Sequence, residues 1–242
     1  SVGGKTGIND ETGKNLIGAF HQPTGVLIDV ATLKTLEPRE LKAGFCEMIK
    51  HGALGGEELF SQTSNFLGRY PLGSTPDLFS DEKFASDLAD LISTNVRFKS
   101  KIVMGDEHED PSRTDASSRK ILNFGHTVGH ALEKVTRYSY FKHGEAVGYG
   151  MLAAAEISNR LEILDKDSVK LLNDVVQSLG PLPGTGQIDI RKVTDAFVFD
   201  KKTIGQSLHW VLLKSIGQPV IVRGSEIPRS VIERSLKKTL SQ

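Results

Sequence analysis

The spacing of apolar positions along the chain predicts a mainly helical domain. Apolar residues recur every three or four positions over most of the sequence, as in helices that bury one face. The predicted helices cover residues 39–52, 55–69, 81–105, 119–136, 143–161, 165–178, 190–200 and 227–239. Glu37-Pro38 precedes the first of them, and proline is favoured in a first helical turn.

Short β elements are predicted towards both ends of the chain. The β-branched run Gly25–Val30 predicts a strand at the N-terminal edge. Leu208–Leu213 and Pro219–Val222 predict a small hairpin. In contrast, five glycines within residues 1–24 predict loops there. The fold class is therefore mainly α, with short β elements at the N-terminal edge and near residues 208–222.

The composition of the chain limits which partners and which cellular compartment can be expected. The 242 residues include 30 Lys+Arg and 30 Asp+Glu, so a nucleic-acid partner is not expected. No apolar run approaches the roughly 20 residues that span a bilayer, so no membrane partner is expected either. Cys46 is the single cysteine, which favours a reducing, cytoplasmic compartment.

The segment Arg119–Glu133 carries the densest group of chemically useful side chains. If it forms one helix, five polar residues fall within a strip of about 80°. They are Arg119, Asn123, His126, His130 and Glu133. Gly125 and Gly129 lie on another face, where they allow a neighbouring helix to approach closely. Such a strip suits a polar cleft holding an anion and a metal; the alternative is a solvated helix face.

His126, His130 and His143 are the candidate nitrogen ligands of a divalent metal. Two histidines and an acid with open positions form a catalytic site, most often for zinc. Glu47 is the best candidate for the acid, because helical i, i+3 spacing also places its carboxylate beside Lys50. The alternative reading of Glu47 is a surface ion pair.

Several lysines could contact a phosphate. Lys5, Lys14 and Asn15 lie in the glycine-rich start, where backbone N–H groups and ammonium groups can face an anion. Lys201 and Lys202 form a further basic pair. Each feature is weak alone, and the spacing of a Walker P-loop is absent.

The combined motifs resemble those of the 3-dehydroquinate synthase family. The motifs are Ser1-Val-Gly-Gly-Lys-Thr-Gly-Ile-Asn9, Gly13-Lys-Asn-Leu-Ile-Gly-Ala-Phe20, Glu47-Met-Ile-Lys50, Leu122-Asn-Phe-Gly-His-Thr-Val-Gly-His130, His143-Gly-Glu-Ala-Val147 and Asp200-Lys-Lys202. This resemblance covers essentially the whole chain. It implies conversion of 3-deoxy-D-arabino-heptulosonate 7-phosphate into 3-dehydroquinate and phosphate, the second step of the shikimate pathway, with NAD and a divalent metal, zinc or cobalt.

The resemblance also implies a role for each matching residue. Glu47, His126 and His143 would bind the metal, which leaves His130 as a phosphate contact and proton carrier. Lys5, Asn15, Asn123, His130 and one of Lys201 and Lys202 would surround the phosphate. Lys99 and Arg119 would hold the substrate carboxylate, and Lys50 a ring hydroxyl. Lys14 and Thr32, Leu33, Lys34 and Thr35 would touch NAD. Glu109 matches a carboxylate that accepts a proton.

The chain departs from the family in two places. It opens on Ser1 in a glycine-rich loop, so residues 1–36 are expected to be the remnant of an N-terminal nucleotide-binding domain and its linker. Residues 37–242 would then form the helical metal- and substrate-binding domain. Without the rest of the N-terminal domain we expect no turnover, and we expect the intact enzyme to be a homodimer. The loop between Glu109 and Arg119 is longer than the family's.

Three other functions compete with this assignment. A valiolone-type or deoxyinosose-type sugar-phosphate cyclase would share the metal ligands but would differ in the residues that bind the substrate carboxylate and phosphate. A metal-dependent hydrolase would use Glu47, His126 and His143 around an activated water, without NAD. A non-catalytic helical fragment that supports a partner domain would bind no metal.

Overall fold

The computed structural model describes residues 2–10, 13–72, 78–204 and 208–241, with only the backbone given for 9, 10, 13–16 and 198–204. Eight α-helices make up most of this part of the chain. They are α1 (Pro38–Gly55), α2 (Glu57–Arg69), α3 (Glu82–Gly105), α4 (His126–Val135), α5 (His143–Arg160), α6 (Lys166–Gln177), α7 (Ile190–Ile204) and α8 (Arg229–Leu240). The mainly α fold class is confirmed.

Helix α5 is the centre of the domain. It is buried along most of its length, and it packs against α1, α4, α6, α8 and the C-terminal hairpin. A helix that is apolar on nearly every face is stable only when others surround it. Arg39 at the start of α1 forms an ion pair with Glu145 in the first turn of α5, with 2.6 Å between Nε and Oε1. This pair and the packing set the position of α1 on α5.

Local chemistry explains where the helices begin. Pro38 occupies the first turn of α1, where its missing N–H costs nothing. The Asp81 carboxylate accepts a hydrogen bond from the N–H of Lys83 at the start of α3, and Asp165 does the same for Ser168 in α6. Within the described part of the chain, none of the helices combines the length and apolar character needed to cross a membrane.

Two antiparallel hairpins supply the β structure of the described residues. Strands β3 (His209–Ser215) and β4 (Gln218–Arg223) pair as predicted, with Trp210 opposite Val222. The first hairpin was not predicted: β1 (Lys5–Asp10) pairs with β2 (Gly13–Phe20), so the loop prediction for residues 1–24 was wrong there. A Cβ on Gly18 would lie 1.8 Å from the Thr6 carbonyl oxygen. Gly18 therefore allows β1 and β2 to pair closely, whereas the sequence pattern predicts that it interrupts regular structure.

The predicted strand Gly25–Val30 was also wrong. Residues 25–29 form neither strand nor helix, and a 3₁₀ helix follows at Val30–Thr35. Val26, Leu27 and Ile28 are all exposed, Leu27 by 98%. A β-branched run becomes a strand only beside a neighbouring strand, and in the described structure no strand pairs with this one.

The single helix expected over Arg119–Glu133 is interrupted. Residues Arg119–Asn123 form a 3₁₀ helix, and Gly125 then takes a left-handed φ of 79° before α4 begins. A Cβ at Gly125 would lie 2.8 Å from the Val147 carbonyl oxygen, and one at Gly129 would lie 3.2 Å from the Val147 nitrogen. The close approach of a neighbouring helix is confirmed, but Arg119 and Asn123 do not share a helix face with His126.

Candidate metal and anion site

Three helices bring the predicted metal ligands together. Glu47 comes from the middle of α1, His126 and His130 from the first two turns of α4, and His143 from the first residue of α5. The glycine contacts between α4 and α5 hold the two histidine-bearing segments side by side. The site therefore lies beside the close contact of α4 with α5.

The three imidazoles form a compact cluster. Their ring centroids are 5.1 Å apart for His126 and His143, 5.4 Å for His126 and His130, and 5.8 Å for His130 and His143. One potential ligand atom from each lies within 4.8 Å of the others. The geometry alone therefore leaves His130 as available to a cation as its neighbours.

Glu47 faces this cluster with one oxygen uncommitted. Its Oε2 accepts a hydrogen bond from Lys50 at 2.5 Å, as the i, i+3 spacing predicted. Its Oε1 is buried without a hydrogen-bond partner, 3.9 Å from His126 Nε2 and 3.7 Å from His143 Nε2. Burial raises the pKa of this carboxyl and is the largest single influence on it, but the charge and hydrogen bond of Lys50 together with the charges of His126 and His143 outweigh it, and the pKa falls to about 2. An ionised oxygen buried without a donor is an expected ligand for a cation.

The far sides of two rings are held by oxygen acceptors. Nδ1 of His126 lies 3.2 Å from the Phe124 carbonyl, and Nδ1 of His143 lies 3.1 Å from Glu133 Oε2. These contacts leave both Nε2 atoms facing Glu47. Burial and then the charge of Lys50 lower the pKa of His126 to about 3, so its imidazole is neutral at physiological pH, as a ligand must be. A donor set of imidazole nitrogens and one carboxylate fits a zinc-like ion.

A group of cations borders the cluster. Lys50 is buried beside Glu47, and Lys99 projects from α3 into a cavity of about 260 Å³ that Glu47 also lines. Burial lowers the pKa of Lys99, and the charges of Lys50, Arg119 and Lys5 lower it further. Cations gathered so closely repel one another, so the arrangement favours a bound anion.

Glu109 lies among the residues predicted to hold phosphate. Its carboxylate forms an ion pair with Lys5 and accepts a hydrogen bond from Asn123 Nδ2 at 3.3 Å. Its backbone has a φ of 55°, which a non-glycine residue rarely adopts. The structure therefore brings Lys5, Asn123 and Glu109 together, with the glutamate neutralising the lysine.

Arg119 is buried and anchors the loops around the site. Its guanidinium donates to the carbonyl oxygens of Gly3, at 2.5 Å, and Glu107, at 2.8 Å. Its backbone N–H donates to the buried carboxylate of Asp106 at 2.8 Å. Arg119 thus connects the β1 loop that carries Lys5 to the helical domain. Its predicted contact with a substrate carboxylate stays a prediction.

The remaining predicted residues lie around the N-terminal segment or outside the described side chains. Thr32, Lys34 and Thr35 are exposed in the 3₁₀ helix Val30–Thr35, while Leu33 packs against the core. Their contact with NAD stays a prediction. The side chains of Lys14, Asn15, Lys201 and Lys202 lie outside the described residues, although the backbone places the first two in β2 and the others in α7.

Sequence reasoning gave no functional role to two residues of this region. Glu133 was noted only as a member of the polar strip, yet it is 1% exposed and contacts His143. Phe20 lies between cations, with its ring centroid 5.6 Å from Arg119 Cζ and 6.0 Å from Lys5 Nζ. A buried acid seven residues after a ligand histidine was the available signal for Glu133; no sequence signal identified Phe20.

Comparison with known proteins places the chain in a family. The model of the 3-dehydroquinate synthase C-terminal domain matches residues 44–203, and that of the N-terminal domain matches residues 1–43. The chain belongs to the 3-dehydroquinate synthase family. The 3-dehydroquinate synthase of Solibacter usitatus is 40% identical over 94% of this chain and 59% of its own length. That of Nostoc punctiforme is 39% identical over 98% and 61%.

This member of the 3-dehydroquinate synthase family also shares its fold with solved cyclases. A 2-epi-5-epi-valiolone synthase from Streptomyces hygroscopicus, with NAD⁺ and Zn²⁺ bound, matches 98% of the chain and 61% of its own with a TM-score of 0.80. A 2-deoxy-scyllo-inosose synthase complexed with carbaglucose-6-phosphate, NAD⁺ and Co²⁺ matches 96% and 61% with a TM-score of 0.76. Both are 22% identical in sequence, which supports the shared fold alone. The chain spans about 60% of the length of its curated relatives.

Proposed function

We propose that the chain is the metal- and substrate-binding part of a 3-dehydroquinate synthase, a carbon–oxygen lyase. The reaction is the cyclisation of 3-deoxy-D-arabino-heptulosonate 7-phosphate to 3-dehydroquinate with release of phosphate. The observation that carries the proposal is the buried, unpartnered Oε1 of Glu47, which faces two imidazole Nε2 atoms beside a group of cations.

Glu47, His126 and His143 would hold the divalent metal, zinc or cobalt. When bound, the ion supplies Lewis-acid polarisation of substrate oxygens. The structural relatives that hold Co²⁺ or Zn²⁺ support this choice of ion class. His130, in the same cluster, would contact the phosphate and carry a proton.

The cations would position the substrate. Lys5 and Asn123 would contact the phosphate, together with Asn15 and one of Lys201 and Lys202. Lys99 and Arg119 would hold the carboxylate, and Lys50 would contact a ring hydroxyl. Such residues accelerate a reaction by orienting one substrate and neutralising its charge, without a covalent nucleophile. Glu109, bonded to Lys5 and Asn123, would be a proton acceptor at the same edge.

NAD would act as a transient hydride acceptor. Lys14 and residues 32–35 would contact it. We infer that further polypeptide of the nucleotide-binding kind completes this part of the site. Among the described side chains of residues 8–36, seven large apolar ones are exposed, and this segment matches the N-terminal family model. A surface of that kind normally marks an interface. A homodimer and a cytoplasmic location complete the proposal.

The test compares substrates in the full-length protein. The carboxylate-bearing heptulosonate phosphate should be converted, with release of inorganic phosphate and dependence on NAD. Sedoheptulose 7-phosphate and glucose 6-phosphate, which lack the carboxylate, should not. Turnover of either of them alone would instead favour a valiolone-type or deoxyinosose-type cyclase, and phosphate release without NAD would favour a hydrolase.

The metal centre has its own test. His126→Ala and Glu47→Gln should each lower zinc affinity by more than tenfold, measured by competition with a chromophoric chelator. Lys170→Ala, on the exposed face of α6, is the control and should leave zinc affinity unchanged. Unchanged affinity in both site variants would refute the assignment of these ligands.

A further inference from the structure

Glu133 lies directly behind one of the proposed metal ligands. Its Oε2 is 3.1 Å from Nδ1 of His143, and the residue is only 1% exposed. Nδ1 and Nε2 point to nearly opposite sides of an imidazole ring. The carboxylate therefore contacts the side of the ring that faces away from Glu47, where it is not itself placed to be a ligand.

The protein needs something to fix the ring of His143. The side chain is 43% exposed, and it belongs to the first residue of α5. A ring in that setting is free to rotate and to carry its proton on either nitrogen. A neutral imidazole binds a metal through Nε2 only when its proton is on Nδ1.

The close contact between α4 and α5 places Glu133 beside Nδ1 of His143. Gly129, one turn earlier in α4, allows the helix to lie against Val147 of α5. The end of α4 then lies beside the beginning of α5, with the acid buried between them. A buried carboxylate requires donors, and Nδ1 of His143 lies within hydrogen-bond distance of this one.

We propose that Glu133 is a positioning residue that holds His143 in the Nδ1–H tautomer and directs its Nε2 towards the metal. The inference rests on the metal centre of the proposed function. A carboxylate acceptor also makes the imidazole a stronger donor to the ion than a neutral carbonyl does. His126 has a neutral acceptor of this kind, the Phe124 carbonyl. His143 is thus expected to bind the ion more strongly than His126 does.

The test measures zinc affinity in the full-length protein by chelator competition. Glu133→Ala should weaken zinc binding by roughly 10- to 100-fold. Glu133→Gln, which keeps the shape and an amide oxygen acceptor, should lose less. Glu156→Gln is the matched control, since Glu156 is a buried α5 acid paired with Arg160 and Lys238, and it should retain wild-type affinity.

Two further measurements separate positioning from general damage. The visible spectrum of the Co²⁺ protein should change in Glu133→Gln but not in Glu156→Gln. Only the first substitution alters the hydrogen bond to His143 and thus the ligand field at the ion. Wild-type zinc affinity and an unchanged Co²⁺ spectrum in both Glu133 variants would overturn the proposal, and so would an equal loss of affinity in Glu156→Gln. If His126→Ala also left zinc affinity unchanged, the metal centre itself would be refuted instead.

Discussion

The contact between α1 and α5 at Gly144 is the feature on which the site most directly depends. A Cβ at this position would lie 1.9 Å from the carbonyl oxygen of Ala43, and 2.8 Å from its Cα. These are backbone atoms, so no change of rotamer relieves the clash. Reaching the 3.4 Å lower limit of an ordinary contact requires the two helices to separate locally by about 1.5 Å.

That separation would open the metal centre. Ala43 precedes Glu47 by about one turn of α1, and Gly144 directly follows His143. Glu47 Oε1 and His143 Nε2 are 3.7 Å apart, so a shift of this size is a large fraction of the distance. We therefore expect Gly144→Ala to weaken zinc binding and to lower the free energy of unfolding by about 1–3 kcal/mol, the usual range for overpacking.

Gly44→Ala provides a control in the neighbouring residue. Gly44 is exposed on α1, and a Cβ there meets nothing within 4 Å. Alanine should raise the free energy of unfolding by about 0.5–1 kcal/mol, because glycine is the weaker helix former. Urea unfolding and chelator competition measure both quantities. A Gly144→Ala variant as stable as Gly44→Ala and with wild-type zinc affinity would show that α1 and α5 tolerate a Cβ at this contact.

Three other changes test the charges around the site. Lys99→Met removes a desolvated cation beside Lys50, so it should raise the free energy of unfolding at neutral pH by roughly 0.5–2 kcal/mol. The same change should weaken substrate binding. A less stable variant would contradict this prediction. Burial lowers the pKa of His51 to about 3, so the stability its neutral ring contributes is present above pH 6.5 and lost as the pH falls towards 3. His51→Gln should flatten that part of the curve of unfolding free energy against pH, and an unchanged slope would refute the assignment. Glu109→Gln should bind inorganic phosphate about two- to fivefold more tightly in a titration, since the carboxylate that neutralises Lys5 is gone; weaker binding would show that Glu109 supports the anion site.

The helical part of the fold was predictable because its signals are local. The apolar spacing and caps of α1, α3 and α5 lie within each segment, and the observed ends differ from the predicted ones by only a few residues. The hairpin β3–β4 was predictable for the same reason. The family followed from the combination and order of the motifs, and the proposed metal ligands followed from that resemblance.

The wrong predictions have a common cause. In each case the observed structure depends on a contact with a distant part of the chain. Gly125 was read as a helix residue because its own sequence allows a helix, and only its contact with Val147 shows why the backbone turns there. Gly18 was interpreted as a break for the same reason, although its role is to let Thr6 approach. The pattern at residues 25–30 predicts a strand, but a strand forms only beside a neighbouring strand, and no described residue provides one.

The metal centre combines both situations. Its proposed ligands could be named from sequence through the family resemblance, because the side chains and their spacing alone left His130 as an alternative ligand and a surface ion pair as an alternative role for Glu47. Their convergence could not, because it is set by glycines at 125, 129 and 144 that bind nothing and only allow α4 and α1 to approach α5. The same approach brings Glu133 to the back of His143, and its role was correspondingly missed. Gly144 directly follows His143 and Glu133 contacts its ring, so Gly144→Ala and Glu133→Ala both act on this one residue. Their effects on the free energy of zinc binding should therefore depart from additivity in the double variant, and additive effects would contradict a shared action on His143.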